Sequence, residues 1–219
     1  LGDVYKRQGP TSLIPTTSGS VTRPADDITL ATSSFGYNTA AGTTLADFTI
    51  QDANDDYPIV YRFSDGTSSN REVLYYGRPN DNITAASSEG AQHSFLQIES
   101  GLSFPINRTI AFRHDGTSAQ PAIDGTLGTA QTLTAAPATL RTNLQLGMQT
   151  GNHMTGHIRR FTYWPRAISD ASLASYTGTN PPTIDLDRPT RRWGGMTGRS
   201  LVTDTAATGD PNWSDVVLL

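Results

Sequence analysis

The chain has 219 residues, 36% of them hydrophobic and 16% charged, with a formal net charge of −4 and no cysteine. That length can bury a sizeable core, as one β-rich domain or two small ones. Without cysteine there is no disulfide scaffold, thiolate zinc site or cysteine nucleophile. The acid excess argues against nucleic acid as the main partner, and apolar runs such as Val216-Val217-Leu218-Leu219 fall far short of the roughly 18 residues of a membrane span. Neither nucleic acid nor a membrane is therefore an expected partner. Ser and Thr together number 50, against only three glutamates, Glu72, Glu89 and Glu99. Thr, Val, Ile and the aromatics suit pleated strands, while Gly, Pro, Asn and Asp punctuate turns, so the composition points to an all-β fold.

Fifteen of the sixteen basic residues are arginine, and the single lysine is Lys6. It lies in Asp3-Val4-Tyr5-Lys6-Arg7-Gln8, which resembles the translation of a transposon-end sequencing adapter. An arginine bias suggests a GC-rich source and makes this stretch foreign to it, so residues 1–8 are expected to be a scar and carry no fold information. Residues 9–23 read as the end of an upstream module and a linker.

From there the chain is a succession of short strands at the spacing of a sandwich or jelly roll. The expected strands are Asp27–Thr32, Thr44–Gln51, Pro58–Phe63, Glu72–Gly77, Ile83–Ala86, His93–Glu99, Arg108–His114, Gln120–Asp124, Leu140–Leu146 and Gly156–Trp164. Asp65-Gly66, Asp115-Gly116 and Asp124-Gly125 stand at strand ends, where Asp-Gly supplies the positive φ of a tight turn. Alternation places Ile59, Tyr61 and Phe63 on one face with Val60 and Arg62 on the other, and sets Ile110 and Phe112 against Thr109, Ala111 and Arg113. Ile158 and Phe161 are three apart, so both reach the core only if a bulge intervenes near Arg159-Arg160. Pro165 ends that strand, and Ser169 and Asp170 open a short helix near 169–176 that packs Leu173 under the sandwich edge. Residues 178–199 read as a linker, and 200–219 as the truncated start of a following module.

Three stretches carry a resemblance: Ala122-Ile123-Asp124-Gly125, then Leu144-Gln145-Leu146-Gly147, then Gly156-His157-Ile158 running through Phe161-Thr162-Tyr163-Trp164-Pro165 to Arg166-Ala167-Ile168-Ser169. In this order they resemble the last third of a laminin-G-like, concanavalin A-like lectin–glucanase jelly roll, closest to versions in bacteriophage tail and fibre proteins. The resemblance covers residues 24–177 and implies a two-sheet antiparallel β-sandwich.

Glycosidases of this fold set acidic residues as Glu-x-Asp-x-x-Glu along one strand, so that two carboxyls flank the bond; no such run occurs here. Gln97-Ile98-Glu99 and Arg71-Glu72-Val73-Leu74 echo two strands of alginate-lyase-like jelly rolls, but Glu99 replaces the base histidine and the Tyr-Lys strand is missing. No Gly-x-Ser-x-Gly is present, and His93, His114, His153 and His157 read as strand-edge or loop residues. No catalytic residue is assigned. Asp52, Asn54 and Asp56 have the alternating oxygens of the start of a calcium loop, and family members often bind calcium near the rim, so calcium is the one metal considered and no cofactor is required. Sugar recognition needs an aromatic face with polar donors and acceptors around it. Tyr75 and Tyr76, one of which must point outward, precede Arg78, Asn80, Asp81 and Asn82, and these six are the candidate ligand-binding residues.

The expected function is a non-catalytic carbohydrate-binding or adhesion module of a phage tail or fibre protein, contacting a host-surface glycan. The alternatives are a spacer or assembly domain without ligand, and a binding module of a secreted bacterial enzyme or adhesin. Expected partners are a glycan or cell-surface polysaccharide, neighbouring modules of the same chain, and other copies of the full-length protein in a homo-oligomer. The expected location is the virion tail or the extracellular space.

Overall fold

The computed structural model describes residues 28–52, 56–149 and 152–178, together with the backbone of 201–204 and 215–218. In chain order the strands are β1 (Ile28–Ala31), β2 (Gly42–Asp52), β3 (Ile59–Ser64), β4 (Arg71–Gly77), β5 (Asn82–Glu89), β6 (Gln92–Ser100), β7 (Ile106–His114) and β8 (Ser118–Ile123). Then come β9 (Thr126–Leu127), β10 (Gln131–Thr132), β11 (Asn143–Leu146), β12 (Met148–Gln149), β13 (Asn152–His153), β14 (Thr155–Trp164), helix α1 (Asp170–Thr177), β15 (Leu201–Asp204) and β16 (Asp215–Leu218). All ten expected strands are present. The two-residue strands β9, β10, β12 and β13 were not anticipated, because two residues are too few to show a period. The expected scar at 1–8, the segment 9–23 and nearly all of the 178–199 linker lie outside the described residues.

Among the described residues two antiparallel sheets face each other. The front sheet runs β1-β11-β3-β4-β5-β6, and the back sheet runs β10-β8-β7-β2-β14-β16-β15, with β9 beside β8. This is the all-β two-sheet sandwich with one short helix that the sequence led us to expect. Segment 200–219 contributes the β15–β16 hairpin, with Leu218 opposite Phe161 of β14.

The inner faces supply the core. Ala46, Phe48 and Ile50 of β2, Ile110 and Phe112 of β7, and Phe161 and Tyr163 of β14 meet Tyr61, Phe63, Leu74, Tyr76, Ile83 and Leu144 from the front sheet. Phe63 lies in ring contact with Phe35, Tyr37, Tyr61, Phe161 and Tyr163, at centroid distances of 5.1–6.3 Å. Such edge-on and tilted pairs add to the area they bury. On the outer face of the back sheet, Leu173 of α1 packs with Leu45, Ala111, Ala122, Trp164 and Ile168. The Ser169 hydroxyl accepts from the Ser172 N–H at 3.2 Å as the helix N-cap, and Arg113 reaches Asp170 at 2.6 Å. The expected bulge is there: pairing slips between Ile158 and Arg160, and the extra residue, Arg159, turns out to Asp47 and Thr49.

Two expectations about facing are corrected. Pairing in β3 also slips, between Ile59 and Tyr61, so Val60 and Tyr61 both enter the core while Ile59 joins Arg62 on the outer face. One inserted residue reverses the alternation on either side of it. His114 is not an edge residue but is 2% exposed, with Nε2 3.8 Å from the buried carboxylate of Glu72. Tyr37 donates to that carboxylate.

Candidate functional site

With α1 packed on the back sheet, no helix among the described residues lies over the outer face of the front sheet. Register defines its rows. Gln145, Arg62, Val73, Ala86 and Phe95 lie opposite one another across β11, β3, β4, β5 and β6. Asn143, Ser64, Arg71, Ser88 and His93 form the neighbouring row, and Ile59, Tyr75, Thr84 and Gln97 the row on the other side. The middle of the face is a floor of small residues, with Val73, Ala86 and Ser88 no more than 3% exposed. Longer side chains rise around them.

Arg62 and Arg71 are diagonal neighbours on adjacent strands, because Arg62 pairs Val73 and Arg71 pairs Ser64. Arg62 is 6% exposed; its Nη1 donates to Gln145 Oε1 at 3.3 Å and its Nη2 to the Thr67 carbonyl at 2.5 Å. Arg71 donates to Gln149 Oε1 at 3.3 Å, from β12 folded alongside. Each leaves a buried Nε–H without an acceptor. Burial and the charge of Arg71 hold the Arg62 guanidinium below the ordinary arginine value, with Asp65 opposing them. The pair is therefore electropositive, under-satisfied and self-repelling, an arrangement that an anion relieves.

Tyr75 stands beside this pair. Its half-buried ring meets the exposed Tyr57 edge-on at 5.8 Å, and burial raises its pKa while Thr84 and Arg71 lower it. Tyr75 is thus the outward member of the tyrosine pair. Tyr76 is 1% exposed, packs edge-on against Phe104 at 5.0 Å and donates to Asp81 Oδ1 at 2.6 Å. Burial and Asp81 push its phenol up to about 12. Its role is to staple the β4–β5 turn, where Asp81 has φ +47° and its carbonyl accepts from the Leu102 N–H. Arg78, Asn80 and Asp81 are exposed on that turn at the end of the sheet, while Asn82 is buried on the outer face and donates to Gln97 Oε1 at 3.1 Å. Of the six candidates, then, Tyr75 and Asn82 share the arginine face, three line its rim and Tyr76 turns away. Sequence reasoning missed Arg62, Arg71 and Tyr57. The available signal was an arginine inside an otherwise apolar strand, Val60-Tyr61-Arg62-Phe63.

Asp52 ends β2, and the Asp56 carbonyl accepts from the Arg78 N–H at 2.9 Å, while Asn54 lies outside the described residues. Among the described residues no three His, Cys, Asp or Glu side chains cluster in a way that could hold a metal ion, and no helix is long and apolar enough to cross a membrane.

No family model and no curated protein sequence matches the chain. Solved structures do. The CBM40 of the Ruminococcus gnavus IT-sialidase superposes with a TM-score of 0.54 at 18% identity, over 64% of this chain and 84% of that one. The chain is a concanavalin A-like jelly roll. This jelly roll also matches the NanB sialidase of Streptococcus pneumoniae (TM-score 0.55, 12% identity), covering 83% of this chain but only 31% of that one. Domains LG4-5 of the mouse laminin α1 chain match at TM-score 0.52 and 12% identity, over 72% of this chain and 46% of that one. At such identities the jelly roll shares a fold with these proteins, and the fold does not assign its ligand.

Proposed function

We propose that the chain is a non-catalytic carbohydrate-binding module that takes the acidic end of a glycan on the outer face of its front sheet. The observation that carries this reading is the Arg62–Arg71 pair, two partly desolvated guanidinium groups side by side with unpartnered N–H groups. A carboxylate meeting the more exposed of the two, Arg71, offsets the repulsion between the charges, and Tyr75 and Tyr57 offer ring faces next to it. The Ruminococcus CBM40 was solved with α2,3- and α2,6-sialyllactose, sugars that carry such a carboxylate. Binding without hydrolysis is supported by where the glutamates lie. Glu72 is buried between the sheets, Glu89 is tied to Arg141, and Glu99 is tied to Arg108 at 2.7 Å. None is paired with a second carboxylate across the arginine face.

Titration with 3′-sialyllactose and with a hexuronate oligosaccharide tests the reading. Arg71→Ala, at a partly buried position, is expected to weaken binding about 10- to 100-fold, the loss of one charge-assisted hydrogen bond, with little change in melting. Binding to no sugar on a glycan array would instead favour a spacer or assembly domain. Calcium at Asp52, Asn54 and Asp56 is part of the proposal as a rim ligand. It predicts a higher melting temperature in millimolar calcium than in EDTA, and equal values would remove it.

The wider setting we propose, a phage tail or fibre protein acting in the virion tail or outside the cell, with neighbouring modules and other copies of the chain as partners, rests on the sequence resemblance. Tail-assembly genes beside this gene are the expected finding. Secretion or polysaccharide-degradation genes there would move the module to a secreted enzyme or adhesin.

A further inference from the structure

We propose that the same face carries a second subsite, a stacking platform formed by Phe95 and His93, which holds a neutral sugar residue further along the chain from the acidic end. This rests on the acidic-glycan reading and extends it from a single sugar to an oligosaccharide. Phe95 is 61% exposed on β6, the edge strand of the front sheet, and contributes nothing to the core between the sheets. One exposed aromatic is ordinary on a protein surface; its alignment is what matters. Phe95 lies opposite Ala86, Ala86 opposite Val73, and Val73 opposite Arg62, so the ring and the guanidinium stand in one row, three strand spacings or about 14 Å apart.

Between them the floor is Val73, Ala86 and Ser88, all buried and none with a long side chain. Among the described residues, the two side chains that stand in this row between the guanidinium and the ring, Val73 and Ala86, are therefore short. The platform is braced on its inner side. The His93 ring sits 6.0 Å from Phe95 at 34°, and its Nδ1 is 2.9 Å from Ser88 Oγ. A pyranose presents an apolar C–H face to such a ring and hydroxyls at its edges, where Gln97 on the same strand face can meet them. The span exceeds one pyranose ring, so a monosaccharide anchored at the arginines does not reach Phe95. A trisaccharide does.

Calorimetric titration of the wild-type chain and of Phe95→Ala with two pairs of probes separates the cases. The pairs are N-acetylneuraminic acid with 3′-sialyllactose, and glucuronic acid with glucuronosyl-xylobiose, in each of which only the terminal sugar is acidic. The expected result is a trisaccharide that binds wild type about tenfold more tightly than its monosaccharide. Phe95→Ala removes that advantage and leaves monosaccharide affinity and melting unchanged, and Phe95→Trp restores it. If wild type binds a trisaccharide and Phe95→Ala binds it equally well, the platform is overturned while the arginine site stands. If wild type binds none of the four probes, the acidic-glycan reading falls and the platform with it.

Discussion

Arg141→Ala is expected to destabilise the domain by about 2–4 kcal/mol, the cost of emptying a buried site and leaving its carbonyl acceptors and the partly exposed Glu89 without their donor. Arg141 is 0% exposed. Its Nη1 donates to the Thr139 carbonyl at 2.7 Å, and its Nη2 to the Ser88 carbonyl at 3.0 Å and to Glu89 Oε2 at 2.9 Å. Glu89 in turn accepts from the N–H groups of Ala138 and Thr139 and from the Thr139 hydroxyl. The segment before β11 is thereby clamped to the β5–β6 hairpin, directly behind Ser88 on the floor of the candidate site. Alanine leaves two carbonyls without this donor and Glu89 without its counter-charge. A domain of this size has about 5–15 kcal/mol in total, so melting should fall by roughly 10 °C, and a fall of only a degree or two would refute the clamp.

The same clamp sets an acid limb. Burial pushes the Glu89 carboxyl up, but hydrogen bonds from Thr139, Ala138 and Arg141, with the Arg141 charge, outweigh it and hold the carboxyl below the ordinary glutamate value. A carboxylate with a lowered folded pKa stabilises the fold above the unfolded value of about 4.3 and loses that contribution as pH falls through the folded value. Stability of the wild type should therefore decline on acidification below about pH 4.3. The decline should be shallower in Arg141→Ala, where part of the shift is gone.

Much of this architecture was legible along the chain, and the reasons differ by element. The ten longer strands announce themselves by alternation, and Asp65-Gly66, Asp115-Gly116 and Asp124-Gly125 by turn chemistry; their glycines have φ of +99°, +87° and +89°. The bulge at Arg159 was legible because two apolar residues three apart cannot otherwise share a face. The bulge in β3 was not, since Ile59, Val60, Tyr61 and Phe63 are all apolar and any parity looks acceptable. That one slip conceals which way Arg62 faces, and with it the arginine pair, which depends on a register between β3 and β4 that no local pattern records. The adjacent tyrosines were ambiguous for the same reason. Once Leu74 and Tyr76 are placed inward, however, period-two geometry puts Glu72 inward as well. The buried Glu72–Tyr37–His114 cluster is thus a consequence of the core pattern that composition alone hides.

Gly156→Ala is the second substitution expected to be severe, costing about 3 kcal/mol or more at the upper end of overpacking effects. Gly156 follows the slip at which β14 passes from Asp52 to Ile50 of β2. A Cβ there would lie 1.9 Å from the Thr49 carbonyl oxygen, 2.9 Å from the Thr49 carbonyl carbon and 3.1 Å from Ile50 Cα. All three are backbone atoms of the neighbouring strand, so no side-chain rotation relieves the clash and the two strands must part. Because β2 lies between β7 and β14 in the back sheet, the displacement reaches Phe48 and Ile50 in the core. The comparison that isolates this effect is Gly90→Ala in the β5–β6 turn, where φ is +61° and nothing lies within 4 Å. There the cost is only the left-handed backbone strain of about 1–2 kcal/mol. Denaturant melts should rank Gly156→Ala well below Gly90→Ala in stability, and equal values would mean that β14 and β2 do not approach so closely. The glycine of the Gly156-His157-Ile158 word thus has a physical cause: a side chain there would occupy the space of the strand it must pair with.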